Sequence, residues 1–209
     1  MITEERLSLL RQQIKTDMKP SRYQHTLGVE REMRALARFF LPEMEKEAAA
    51  AGLLHDITKA WTEEEQLRFC KARGLQVSED ERLIPALLHA KTAAALIPGL
   101  YPDLATEAIL SAISKHTVAS PVMSVFDALL YIADYTEEGR EYPSCKALRQ
   151  TLHRGMEQTE KEEKAFFLRQ ILLNTYDESL AALKRLGRTV AVATVEARQA
   201  LLQDPHYFS

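Results

Sequence analysis

The stretch AGLLHDITKA, residues 51–60, places a histidine, an aspartate and a lysine in an apolar, alanine-rich run. Such a His-Asp pair is either a satisfied structural hydrogen bond or the centre of a metal site, and the stretch alone allows both. His55 and Asp56 are consecutive, so on a helix they diverge by about 100° and can still approach one cation together. The aspartate, with two oxygens, can also lean toward a second ion. Lys59 follows His55 by four residues, which on a helix puts it one turn on along the same face. Being cationic, it would serve an anion held at the metal, or else be a solvated lysine at a helix end.

Working outward, the chain reads as helix nearly throughout, with only 7 glycines and 8 prolines, mostly where helices should stop. Val29, Met33, Leu36, Ala37 and Phe40 recur at steps of three and four and mark one buried face ending at Pro42. A second helix is predicted from about Glu43 through Ala51, Leu54 and Ile57. Thr62 with Glu65 forms a capping-box signal for a short helix that Gly74 closes. Ser78 with Glu81 repeats that signal before LIPALLHAKTAAALI (83–97), which should stop at Pro98-Gly99. Pro102 introduces DLATEAILSAISKH, and Pro121 introduces VMSVFDALLYIAD. From about Gln158 the composition shifts to a long amphipathic pattern, TEKEEKAFFLRQILLNTYDESLAALKRL (159–186), followed by a last helix, TVAVATVEARQALL. Period-two alternation with turn dipeptides, the mark of a sheet, is absent. The expectation is an all-α fold forming a single domain over residues 1–209. Its core spans about 18–145, and C-terminal helices over about 146–209 pack on that core.

Composition narrows the function classes. Lys+Arg number 27 against 30 Asp+Glu, a formal net charge of −3, so nothing favours nucleic acid or a membrane surface in general. An anionic substrate would need a local cluster of positive charge. The N-terminus carries charges throughout and does not read as a signal peptide, and no stretch approaches the roughly 20 apolar residues of a membrane span. The two cysteines, Cys70 and Cys145, lack paired-ligand spacing and read as small apolar residues, consistent with a reducing cytoplasm.

Four of the six histidines, His25, His55, His89 and His116, fall on or beside predicted apolar helix faces. His153 and His206 have polar or terminal surroundings and read as solvated. Arg22 precedes His25 by about one turn. Asp134 follows Leu129, Leu130, Ile132 and Ala133, a costly place for an unpaired carboxylate unless it is exposed or something cationic faces it. Imidazole and carboxylate donors without thiolate favour Fe, Mn or Zn. Six such residues exceed a closed zinc site but suffice for two ions sharing a carboxylate, a set suited to hydrolysing phosphate esters or anhydrides.

The ordered series His25, His55-Asp56, His89, His116, Asp134 resembles the HD-domain phosphohydrolases in their two-metal form. The words AGLLHDITK, LLHAKTAAALI, AISKHTVAS, MSVFDALLYIADYTEEGR and TVEARQALL are similar to the YqeK family, bacterial enzymes that hydrolyse diadenosine tetraphosphate symmetrically to two ADP. The resemblance runs from about residue 18 to 202. It implies an HD-type helical bundle, a nucleotide substrate and two metal ions, usually iron, with manganese acceptable to the same donors. It makes all six residues metal ligands: His25, His55, Asp56 and Asp134 around one ion, and Asp56, His89 and His116 toward the other. Lys59, Thr117 and Arg140 match phosphate-holding positions, with Arg22 a further contact; Asp56, Lys59 and Arg140 would carry catalysis.

The chain departs from the family where glycines usually follow the third and fourth histidines. Here Ala90, Ala94 and Ala119 would narrow the substrate pocket, and Lys91 either adds charge near the phosphates or points to solvent. Thr136 and Glu138 replace the usual isoleucine and proline. A nucleotidase of the wider superfamily and a non-catalytic nucleotide sensor therefore stay open beside the tetraphosphate reading. Phe166, Phe167, Gln170 and Ile171 form an apolar face that suits either a homodimer or an intramolecular contact.

Overall fold

Small side chains let two helices near the start of the chain approach closely. In the computed structural model, which describes residues 2–208, helix α1 (Glu4–Asp17) precedes α2 (Pro20–Phe40) and α3 (Glu45–Leu54). Ala48, Ala49, Ala50, Ala51 and Gly52 are all buried in α3. A Cβ on Gly52 would lie 2.8 Å from the Glu30 Cα of α2, so glycine is what permits the contact. Alanine and glycine here give up side-chain volume to bring α3 onto α2, and His55 emerges at the end of that contact.

Helix α3 stops earlier than the apolar pattern suggests. Its last residue is Leu54, His55 is the C-cap, and residues 55–60 form successive turns rather than the predicted helix through Ile57. Lys59 therefore does not sit one helical turn above His55; the turns deliver it to the site by another route. Helix α4 (Glu63–Ala72) opens with the Thr62–Glu65 capping box, and Gly74 closes it in the left-handed region at φ +65°.

The Ser78–Glu81 capping box opens only the short α5 (Glu79–Leu83). Pro85 begins a separate 3-10 turn before α6 (Leu88–Leu100), dividing the run that the sequence suggests is one helix. Proline cannot donate to the ladder of a continuing helix, which accounts for the break. Helix α6 passes through Pro98-Gly99 and ends two residues past the predicted proline stop.

Helix α7 (Glu107–Lys115) starts after the Thr106 cap, with Pro102–Leu104 a 3-10 turn before it. Helix α8 (Val125–Thr136) opens on a Ser124–Asp127 capping box, three residues beyond Pro121. The chain continues through α9 (Pro143–Gln158), α10 (Lys164–Arg185) and α11 (Val192–Gln203). No strand occurs among the described residues, and the fold is all-α. No described helix is long and apolar enough to cross a membrane.

Leu148, Leu152, Leu168, Ile171, Leu172, Tyr176, Ala197 and Leu201 from the last three helices join the same buried cluster as Val29, Met33, Leu53, Ile113 and Leu129. The apolar face at 166–171 is divided: Ile171 is buried and Phe167 stacks on Phe40 at 6.2 Å, while Phe166 is exposed. His153 is not merely solvated. Its Nε2 lies 3.0 Å from both carboxylate oxygens of buried Glu32, tying α9 to α2.

Candidate active site

Four helices and one turn deliver the predicted ligands to a single centre. His25 comes from α2, His55 and Asp56 follow α3, His89 opens α6, His116 caps α7 and Asp134 lies in the last turn of α8. The His25 and His55 Nε2 atoms are 3.3 Å apart, and those of His89 and His116 are 3.0 Å apart. Asp56 stands between the two pairs. Its Oδ1 is 3.1 Å from His89 Nε2 and 3.7 Å from His116 Nε2. Its Oδ2 is 3.4 Å from His55 Nε2 and 3.8 Å from His25 Nε2. Asp134 Oδ1 completes the first half, 3.0 Å from His25 Nε2 and 4.0 Å from His55 Nε2. The donor atoms of His25, His55 and Asp134 form one group compact enough to hold a metal ion, and those of His55, Asp56 and His116 form a second.

The far side of each imidazole is fixed as well. Nδ1 of His55 bonds the Gly52 carbonyl at 2.8 Å, that of His89 the Ala86 carbonyl at 2.6 Å, and that of His116 the Ile113 carbonyl at 2.7 Å. A carbonyl can only accept, so Nδ1 carries the proton and the neutral ring offers its Nε2 lone pair to the centre. His25 differs, with Nδ1 3.1 Å from Glu137 Oε1. Glu137 is buried, and nothing in the helical periodicity marks it; its only sequence signal is an acid three residues beyond Asp134.

Electrostatics separate the two halves. Burial works against a charge on His25, but hydrogen bonds to Asp134 and Glu137 prevail and raise its pKa to about 9. Burial lowers that of His89 to about 4, against the opposing pull of Asp56. Desolvation also works against the Asp56 carboxylate, yet the facing imidazoles of His55, His116 and His89 hold its pKa well below the usual range. Asp134 is held low in the same way by Arg140 and His25. Ionised carboxylates beside the Nε2 lone pairs of His55, His89 and His116, with His25 able to give up its proton to a cation, form a donor set that fits hard-to-borderline divalent cations.

Three cations surround this set. Arg22 Nη1 is 2.7 Å from Asp56 Oδ2, Arg140 Nη2 is 2.7 Å from Asp134 Oδ1, and Lys59 Nζ is 3.1 Å from His89 Nε2. Burial lowers the Lys59 pKa, while Asp56 and Asp134 favour its charge. Thr117 is half-buried directly after His116. A cleft of about 590 Å³ opens from His25 outward, lined by Arg22, Glu137, Gly139, Arg140 and Tyr142 among others.

Of the three alanines, Ala119 acts differently from the sequence expectation. Ala119 is buried at φ +63° and its N–H bonds the Lys115 carbonyl at 2.9 Å, so it closes the turn after α7 and is not among the residues lining the cleft. A glycine at this position would serve backbone geometry, the left-handed region that side chains disfavour. Lys91 neither reaches the centre nor points freely to solvent; its Nζ pairs with Glu81 Oε2 and the Gln76 carbonyl, both at 2.5 Å. Thr136 hydroxyl bonds Glu32 Oε1 at 3.0 Å, behind the site.

Known proteins resemble this chain in sequence and fold. The HD domain family model matches residues 22–139. A symmetrical bis(5'-nucleosyl)-tetraphosphatase of Bacillus subtilis is 30% identical, over 76% of this chain and 81% of that protein. One from Halalkalibacterium halodurans is 29% identical, over 66% of this chain and 72% of its own length. A crystal structure described as a predicted HD superfamily hydrolase involved in NAD metabolism, from Clostridium acetobutylicum, superposes with a TM-score of 0.79. It is 26% identical, over 97% of this chain and 98% of that one. The chain belongs to the HD-domain family and, within it, to the YqeK-like phosphohydrolases.

Proposed function

We propose that the protein hydrolyses dinucleoside polyphosphates, converting diadenosine tetraphosphate symmetrically to two ADP. The observation that carries the reading is Asp56, whose two oxygens face two separate imidazole pairs with Arg22, Lys59 and Arg140 close by. The relatives that carry the tetraphosphatase name support the substrate. His25, His55, Asp56 and Asp134 would hold one cation and Asp56, His89 and His116 the other, with iron the expected metal and manganese compatible. Bound there, two such cations lower the pKa of water and neutralise charge on phosphoryl oxygens.

The chain's own residues then perform the rest. The arginines are forked donors suited to phosphate, and Arg22 and Arg140 stand where the cleft meets the ligand carboxylates. Lys59 adds a point charge on the His89 side, where burial strengthens its pull on a phosphate. Thr117 is placed to offer its hydroxyl beside His116. Holding the chain of phosphates from both sides aligns the central anhydride bond and stabilises the departing ADP. We read the protein as cytoplasmic, with a homodimer possible through the exposed Phe166 side of α10.

A second reading keeps the site and changes the substrate to another nucleotide. It is favoured by the structural relative described in NAD metabolism. The complete set of six candidate ligands favours catalysis over a purely sensing role. Product analysis with iron- or manganese-loaded protein tests the assignment: two ADP supports it, and ATP plus AMP contradicts it. Inertness toward diadenosine tetraphosphate with turnover of nucleoside monophosphates selects the second reading.

A further inference from the structure

Three of the four imidazoles take their Nδ1 acceptor from the carbonyl three residues back, at Gly52, Ala86 and Ile113. His55 and His116 lie at helix C-termini, where carbonyls are left without a helical partner, and His89 lies in the first turn of α6, so its acceptor belongs to the 3-10 turn before the helix. His25 lies inside α2, where the local carbonyls belong to the helix's own ladder. Its acceptor is the carboxylate of Glu137, the C-cap residue of α8, which also carries Asp134.

The structure around Glu137 is built to hold that carboxylate. Its Oε2 accepts the Gly139 N–H at 2.6 Å. Its backbone is pinned by its own N–H to the Ala133 carbonyl at 2.9 Å. Arg149 of α9 donates to the Thr136 carbonyl at 3.0 Å and to that of Glu137. Beneath it lies Gly28, three residues after His25 on the same face of α2. A Cβ there would fall 2.2 Å from Glu137 Oε2. Glycine weakens a helix interior, so Gly28 is a local sacrifice that makes room for the carboxylate.

We infer that Glu137 is a positioning residue for His25, seated by Gly28, and that it makes the His25–Asp134 half the tighter of the two cation positions. The inference rests on the two-cation reading above. A carboxylate behind an imidazole fixes its ring plane and makes Nε2 a stronger donor than a carbonyl does. This half also receives Asp134, whereas the His89–His116 half has only its share of Asp56 and stands beside Lys59.

The test is Mn²⁺ titration of the metal-stripped full chain, followed by electron paramagnetic resonance and calorimetry, with circular dichroism checking the fold. Wild-type protein should bind two ions with distinct affinities, and wild-type protein that binds none contradicts the two-cation reading before any variant is considered. Glu137→Ala should weaken the tighter position about 10–100-fold and leave the other unchanged. Gly28→Ala, which displaces the carboxylate without removing it, should give the same selective loss. Glu137→Gln keeps the size and an acceptor oxygen but not the charge, and should weaken the tighter position several-fold. Where the alanine variants fail to fold, the glutamine variant decides. Wild-type affinity at both positions in Glu137→Gln overturns the inference, as does equal weakening of both positions in any folded variant.

Discussion

On one side of Asp56, His25 is backed by the Glu137 carboxylate and opens onto the cleft; on the other, His89 and His116 are backed by carbonyls and buried. The same ring type thus meets opposite surroundings, with the pKa of His25 raised to about 9 and that of His89 lowered to about 4. The difference shows how one fold gives one kind of side chain two unlike settings. Helix C-termini and the turn before α6 provide carbonyls at no cost to a helical ladder, while a histidine inside a helix has to borrow its acceptor from elsewhere.

The change with the largest expected effect breaks both halves at once. Asp56→Ala should empty the whole centre and lower kcat/KM at least about a thousandfold, because several kcal/mol of transition-state stabilisation goes with the ions. Metal analysis of the purified variant and steady-state kinetics check it. Gly52→Ala should act mainly on one half. Its Cβ would meet the Glu30 backbone, forcing α3 off α2 and separating His55 from His25. Overpacking of this kind costs about 1–3 kcal/mol in chemical denaturation. Metal affinity should fall more on the His25 side than on the His89 side.

Lys59→Ala sharpens the comparison from the substrate's direction. Lys59 touches His89 but is not placed as a ligand. Metal content should therefore stay at the wild-type level while kcat/KM for the dinucleotide falls about 10–100-fold, the scale of one charged phosphate contact in a buried site. The smallest effect lies outside the centre, at His153 and Glu32. The hydrogen bond to Glu32 raises the His153 pKa above its ordinary 6.5. A histidine raised in the folded state stabilises fully below its unfolded value, and that contribution is lost as pH rises through the folded one. The Tm gap between wild type and His153→Gln should be widest below about pH 6.5 and close above it. It should be worth about 0.5 kcal/mol or less, since the half-exposed pair is screened.

Much of this was legible in the sequence where chemistry and periodicity coincide. The apolar steps of α2 and the capping boxes at Thr62 and Ser78 announce helices from local physics. The order of the histidines and aspartates announces a family. Helix α9 was legible only as one of the expected C-terminal helices, because its buried stripe of Cys145, Leu148 and Leu152 is narrow and set among polar residues. Glu137 and Gly28 escaped notice for a different reason: their meaning lies in a contact between residues far apart in sequence. AGLLHDITKA shows both sides of this, since its His-Asp pair was readable while its early helix stop at Leu54 was not. The turns after Leu54 set His55 against His25 of α2 and Lys59 against His89 of α6, contacts that no local pattern encodes.

In the proposed site Asp56 divides two cation positions. A crystal structure of Mn²⁺-loaded protein, with anomalous difference maps at the manganese edge, tests it most directly. The account predicts two peaks flanking the Asp56 carboxylate, one in reach of His25 and Asp134 and one in reach of His89 and His116. A single peak, or a pair that Asp56 does not touch, would contradict it.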